Sequence, residues 1–234
     1  MSPQNATSNL DFDAIRCLGA PLSEKLSLWV SWTAANKPEA AKRYDDLVER
    51  LTLSGATDNA VKSGSPLEPF LLPDTEGHLQ GLQNYLVEGP LVVSFNRGHW
   101  CPYCLLELRA LEEIHSEVNQ LGGSIISITP QRAASANRLK EKSELTFPIL
   151  SDIDNAYALS CGIMMSISDA VDKAYKNIGI DLAADQGNDG MFLPMPATYV
   201  VNKEGVVVAD YVHPDFRTRM PPQDILTALQ ANSD

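Results

Sequence analysis

The chain has 234 residues, 44% of them hydrophobic, with 18 basic and 30 acidic residues and a formal net charge of −12. That acidity works against nucleic acid or an anionic membrane surface as a partner, and no apolar run approaches the roughly 18 residues that a membrane-spanning helix needs. The stretch from Met1 to Asp13 has neither the basic start nor the apolar core of a secretory leader, so a cytoplasmic location is expected.

Residues 1–60 read as helical. Leu22, Leu26, Trp29 and Val30 share one face, and Tyr44, Leu47, Val48 and Leu51 repeat the helical spacing. Asn36-Lys37-Pro38 separates the two as a turn, because proline disfavours helix in the residue before it. This hairpin suits a packing extension or an oligomer contact such as a homodimer. Cys17 within it reads as a small buried apolar residue. Gly55 and the polar run to Gly64-Ser65-Pro66 read as the linker into the next unit.

From Leu67 onward strands and helices alternate. Leu67–Leu72, with Pro69 inside it, is a candidate edge strand, and Leu82–Val87 a short helix. Leu91–Phe95 reads as a buried strand, followed by a helix over Pro102–Gln120 that Gly122-Gly123 stops. Ser124–Ile128 is the next strand and Gln131–Lys142 the next helix, a βαβ unit whose strands should be parallel. Phe147–Leu150 is a short strand. Residues 162–193 form an insertion, helical over Ser168–Lys176 and otherwise polar and Gly-rich. Ala197–Val201 and Val206–Asp210 form a hairpin around Asn202-Lys203-Glu204-Gly205, and Pro222–Gln230 is a last helix.

The chemistry concentrates at Trp100-Cys101-Pro102-Tyr103-Cys104, a Cys-x-x-Cys at a strand-to-helix junction. A sulfur at a helix N-terminus faces unpaired backbone N–H groups and the positive end of the helix dipole. Both lower a thiol's pKa and sharpen its nucleophilicity. Pro102 fits the first helical position, where its missing N–H costs nothing. The expected division is Cys101 exposed and low in pKa, with Cys104 one turn inside, buried and resolving. Arg97 and His99 are positioned to add positive charge, or are ordinary surface residues. The bland alternative is two buried core cysteines. One cysteine pair without a second pair or a spaced histidine pair does not make a zinc site. With no Gly-x-Gly-x-x-Gly and no phosphate loop, neither cofactor nor metal is expected. Pro194-Met195-Pro196 precedes a strand, where thioredoxin-like folds carry a cis-proline packed against the Cys-x-x-Cys.

Several segments together resemble the peroxiredoxin-like branch of the thioredoxin superfamily, of the alkyl hydroperoxide reductase and thiol-specific antioxidant type. They are Pro69-Phe70-Leu71-Leu72-Pro73-Asp74 with Gly77, Gly89 through Cys104, Ser127-Ile128-Thr129-Pro130-Gln131, and Phe147-Pro148-Ile149-Leu150-Ser151-Asp152. The resemblance runs from about Gly64 to Leu229. It implies an α/β, thioredoxin-like fold, a central mixed sheet flanked by helices, over residues 61–234, with the 162–193 insertion and an N-terminal helical extension over 1–60. It implies Cys101 as the peroxidatic cysteine, oxidised by a peroxide to a sulfenic acid that a second thiol converts to a disulfide. Cys104 is the natural resolving thiol and Cys161 a distant second, with Arg97, Trp100, Pro102 and Pro196 in support. A thioredoxin-, glutaredoxin- or glutathione-type reductant restores the thiols.

The sequence departs from the family pattern at Ser94, where a proline stands seven residues before the cysteine, and at Gly98, where a threonine stands three before. Met195-Pro196 stands near the place of an arginine that flanks the thiolate. Three functions are compatible: a thiol peroxidase, a thiol–disulfide oxidoreductase of thioredoxin type, and a non-enzymatic binding module. The last would show both cysteines buried with unperturbed pKa values.

Overall fold

The computed structural model describes residues 10–188 and 191–232. Three helices open it: α1 (Phe12–Arg16), α2 (Leu22–Asn36) and α3 (Pro38–Leu53). The α2–α3 break falls at Lys37-Pro38, with Pro38 opening the second helix. Ile15, Leu22, Leu26, Leu47 and Leu51 are buried in the same apolar cluster as Cys101 and Cys104, so these helices spend their apolar faces on this chain's own core. Cys17 is exposed rather than buried. It caps the C-terminus of the five-residue α1, whose inward position is taken by Ile15.

The expected edge strand over Leu67–Leu72 is shorter and shifted. Pro69 offers no N–H to a ladder, and pairing begins only at β1 (Leu71–Pro73), which forms a hairpin with β2 (Leu79–Gly81). After α4 (Leu82–Leu86) comes β3 (Leu91–Phe95), every residue of it buried. Leu91, Val93 and Phe95 face one core cluster and Val92 the other, as the two-residue side-chain period requires. Helix α5 (Pro102–Gln120) follows and ends at Gly122, whose φ is +75°.

Next come β4 (Ser124–Thr129), α6 (Ala133–Ser143) and β5 (Ile149–Ser151). Strands β3, β4 and β5 pair in parallel, as a βαβ reading demands. Helix α6 begins two residues later than its sequence pattern indicates, because Gln131 turns its amide to the loop before α5 and Arg132 is extended. A 3-10 turn (Ile153–Asn155) leads into α7 (Ala156–Ser160).

The insertion is more ordered than its composition suggests. It holds β6 (Met164–Ser166), α8 (Asp169–Lys176), α9 (Leu182–Gln186) and β7 (Phe192–Pro194), with β6 and β7 paired antiparallel. The predicted hairpin is β8 (Ala197–Val201) and β9 (Val207–Val212), and α10 (Pro222–Gln230) closes the fold. The central sheet runs β5-β4-β3-β8-β9, with β8 antiparallel to β3, a mixed sheet flanked by helices.

Candidate active site

The site lies where β3 hands over to α5. Cys101 has extended backbone at the N-cap and Pro102 occupies the first helical turn. The loop between is pinned from β4's end. Gln131 accepts the His99 backbone N–H at 2.9 Å and meets His99 Nδ1 at 2.8 Å. Gly98 has φ +131°, and a Cβ there would fall 2.6 Å from the Gln131 side chain. A threonine here would have to displace the Gln131 amide and adopt a φ that side chains rarely take, so glycine suits this loop where the family pattern has threonine.

Cys101 and Cys104 are both 0% exposed. The exposed attacking sulfur expected from helix-cap position is thus corrected: α3, α8 and Phe216 close over the cap. Arg97 is 2% exposed and places Nη2 3.1 Å from Cys101 Sγ, while its backbone N–H reaches Cys104 Sγ at 3.4 Å. Its guanidinium stacks on Phe216 (4.1 Å to the ring centroid) and lies 5.4 Å from the centroid of Trp100. Trp100 packs on Tyr175 of α8 with centroids 5.0 Å apart. Among the described residues, Arg97 Nε and Nη1 are buried without a hydrogen-bond partner.

A second cation sits behind the first. Arg219, in the segment before α10, approaches Cys104 Sγ at 3.6 Å and forms a buried ion pair with Glu107 of α5. Glu107 also accepts from Thr198 of β8 at 3.0 Å. Phe216-Arg217-Thr218-Arg219 is a basic stretch in an acidic chain just before the last helix, the one sequence signal for this residue. The sequence reading missed both Arg219 and Tyr175.

These contacts split the two thiols. Burial pushes Cys101 up, but the Cys104 hydrogen bond and the charges of Arg97 and Arg219 outweigh it and hold its pKa well below the ordinary thiol value. Burial also raises Cys104, and there the hydrogen bond to Cys101 and the neighbouring charge push the same way, well above that value. The binding-module signature of two buried, unperturbed thiols is met in burial and not in charge. Cys161 is buried too, and burial lifts it to about 11.

Pro196 is buried just before β8, whose first residue, Ala197, pairs with Phe95 at the site end of β3. The expected cis bond is not there, since the described residues contain no cis peptide. Met195, just past β7, donates its N–H to the Ile163 carbonyl at 2.6 Å, so the β6–β7 pairing holds the chain up to the residue before Pro196.

A family model described as "AhpC/TSA family" matches residues 63–210. The chain belongs to that family. It is 26% identical over 147 residues to the chloroplastic peroxiredoxin Q of Oryza sativa subsp. japonica, covering 63% of this chain and 57% of that protein. It is 26% identical over 105 residues to peroxiredoxin Bcp of Escherichia coli (strain K12), covering 45% of this chain and 67% of that one. The chain thus spans little more than half the length of the rice relative. Among solved structures, the peroxidoxin BcpB of Mycobacterium tuberculosis superposes with a TM-score of 0.57 at 20% identity, covering 73% of this chain and 97% of that one. A Xanthomonas campestris peroxiredoxin Q gives 0.54 at 18%, covering 75% and 98%. These likenesses identify the thioredoxin-like peroxiredoxin fold. The stretch before residue 63, with α1–α3, lies outside the family match.

Proposed function

We propose that this AhpC/TSA-family chain is a thiol peroxidase in which Cys101 attacks a hydroperoxide and Cys104 resolves the product. The observation that carries the reading is Arg97. One guanidinium N–H faces Cys101 Sγ at 3.1 Å, and two further nitrogens are buried with no hydrogen-bond partner among the described residues. A buried donor left unpaired costs free energy that a ligand oxygen recovers. The same cation therefore supports the thiolate and offers N–H groups to peroxide oxygens as the O–O bond stretches.

The Cys101 thiolate attacks one oxygen of the hydroperoxide; an S–O bond forms, the O–O bond breaks, and the alkoxide or hydroxide leaves and takes a proton. Cys104 then attacks the sulfenic sulfur, forming the disulfide and releasing water. An external reductant, either a dithiol of thioredoxin or glutaredoxin type or two glutathione thiols, returns both sulfurs to thiols by exchange and leaves as the disulfide. Stopped-flow mixing of reduced protein with hydrogen peroxide and cumene hydroperoxide tests the proposal. The expected result is rapid oxidation lost in Cys101→Ser; a Cys101 that stays reduced while the protein reduces insulin disulfides would transfer the assignment to a thiol–disulfide oxidoreductase.

A further inference from the structure

A cleft of about 360 Å³ opens beside the sulfur site, with Arg97, Trp100 and Pro102 in its inner wall. Trp29, Lys37 and Tyr44 come from α2, α3 and their junction, outside the family match over residues 63–210, and Tyr175, Ile178 and Ile180 from the segment at and after α8, while His99, Leu105 and Lys142 complete the wall from the loop before α5, from α5 and from α6. The volume sits at the low end of the about 300–1,000 Å³ typical of small-molecule sites. A site for hydrogen peroxide alone would need no such volume.

The charge of the walls is the second observation. The protein carries a net charge of −12, yet among the described residues the cleft is lined by the cations Lys37, Arg97 and Lys142 and by no carboxylate; His99, also in its wall, is pushed toward the neutral form by burial and has Asp185 3.8 Å from Nδ1. Among the described residues neither lysine pairs with a carboxylate within 4.0 Å. Lys37 Nζ lies 5.5 Å from the Trp32 ring centroid, and Lys142 Nζ donates to the His99 carbonyl at 3.3 Å. The carboxylates Asp13, Glu141 and Glu144 line an adjoining pocket that shares Phe12, Leu105 and Lys142 with the cleft; there Asp13 faces Arg16 at 3.7 Å and Glu144 faces Arg109 at 2.9 Å. Two ammonium groups with no carboxylate partner among the described residues, beside an aromatic-walled cleft, are complementary to a molecule with an apolar body and an anionic end.

We infer that this cleft selects a hydroperoxide with an apolar body and a carboxylate, the carboxylate held by Lys37 and Lys142 and the O–O group delivered toward Arg97 and Cys101. The inference rests on the peroxidase reading for the reacting group and on the cleft alone for the anion and the apolar body. Lys37 and Lys142 are specificity-determining residues here; Arg97 belongs to the reacting centre.

The test has a binding arm and a kinetic arm, both on the full chain. In the first, 4-isopropylbenzoate and its neutral amide are titrated against tryptophan fluorescence, since Trp29 and Trp100 line the cleft. In the second, kcat/KM is compared for cumene hydroperoxide bearing a para-carboxylate and for its methyl ester. With about threefold contributed by each partly solvated charge contact, the anion is expected to be favoured roughly tenfold in both arms. The preference should shrink with added salt and approach unity in Lys37→Gln/Lys142→Gln. Equal binding of benzoate and amide, or a preference that survives both substitutions, overturns the inference while leaving the peroxidase reading intact. Selective benzoate binding with no oxidation of Cys101 by any hydroperoxide overturns the peroxidase reading and, with it, the hydroperoxide assigned to the cleft.

Discussion

Replacing Arg97 with methionine removes the cation 3.1 Å from Cys101 Sγ while keeping a flexible side chain against Phe216. With the guanidinium charge centred roughly 4 Å from the sulfur, Coulomb's law at an effective dielectric of about 20 gives an attraction of about 4 kcal/mol. Arg219 and the Cys104 hydrogen bond remain to favour the thiolate, so only part of that attraction is lost to the thiol's titration; burial is then less opposed, and the pKa should rise toward the ordinary value of 9.0. A thiol at its ordinary value is only about 1% ionised at pH 7, so the peroxide rate should fall by up to about 100-fold. The sign is diagnostic: the variant should recover about tenfold per pH unit as the solution is made alkaline, while the parent stays flat. Thiolate absorbance gives the pKa and stopped-flow oxidation gives the rate. A rate that falls without any displacement of the thiolate titration would refute the electrostatic argument and leave Arg97 acting on the peroxide alone.

Other substitutions separate the remaining parts. Cys104→Ser keeps a donor beside Cys101, so one round of peroxide reduction should survive; turnover with a dithiol should stop, and a dimedone adduct should mark a persistent sulfenic acid at Cys101. Glu107→Ala strips Arg219 of its buried counter-charge and should cost about 3–5 kcal/mol in urea unfolding; a loss below 1 kcal/mol would mean that Arg219 finds another partner. His99 is held below its usual 6.5, first by burial, against the pull of Asp185. The unfolded chain therefore binds a proton that the folded one refuses, so stability should decline as pH drops below about 6.5. His99→Asn should remove that part of the slope, and an unchanged slope would discharge His99 from the role. Gly98→Thr places a Cβ against Gln131 at φ +131° and should cost about 1–3 kcal/mol in thermal or urea unfolding; a neutral outcome would show that the loop moves freely.

Much of the sheet was legible because its signals are local. Leu91–Phe95 is a continuous apolar run, as a strand buried on both faces must be. The Asn202–Gly205 turn fixes the β8–β9 hairpin, with Gly205 at φ +80°. Pro102 likewise places the helix start beside Cys101. What escaped the sequence depends on long-range meetings. Arg219 lies 115 residues beyond the Cys104 it approaches, and Tyr175 sits in the helix expected over Ser168–Lys176, whose docking on Trp100 no local signal records. Cys17 shows the limit of residue-type reasoning: cysteine is usually buried, but in a five-residue helix the burial falls on Ile15. The depth of Cys101 was hidden for the same reason. A helix cap has no exposure of its own until the elements above it are known, and here those elements are α3, α8 and Phe216.

The opposed pKa displacements of Cys101 and Cys104 have a single origin, one proton placed between two sulfurs under two guanidinium groups. With Cys101 ionised, its charge and the hydrogen bond keep the proton on Cys104, which is why Cys104 rises while Cys101 falls. On the proposed mechanism, oxidation of Cys101 to a sulfenic acid deletes that negative charge and with it two of the three causes that lift Cys104. The stabilising contacts of Cys104 remain in place: Arg219 at 3.6 Å and the Arg97 backbone N–H at 3.4 Å. Cys104 therefore becomes more acidic at the moment its neighbour becomes an electrophile, and it is protected from peroxide before then. The resolving step should accordingly depend on Arg219 more than the first oxidation does. Arg219→Lys, which keeps a charge without the fork that grips Glu107, should slow disulfide formation more than sulfenic acid formation in double-mixing stopped flow; equal slowing would place Arg219 in support of the whole pair.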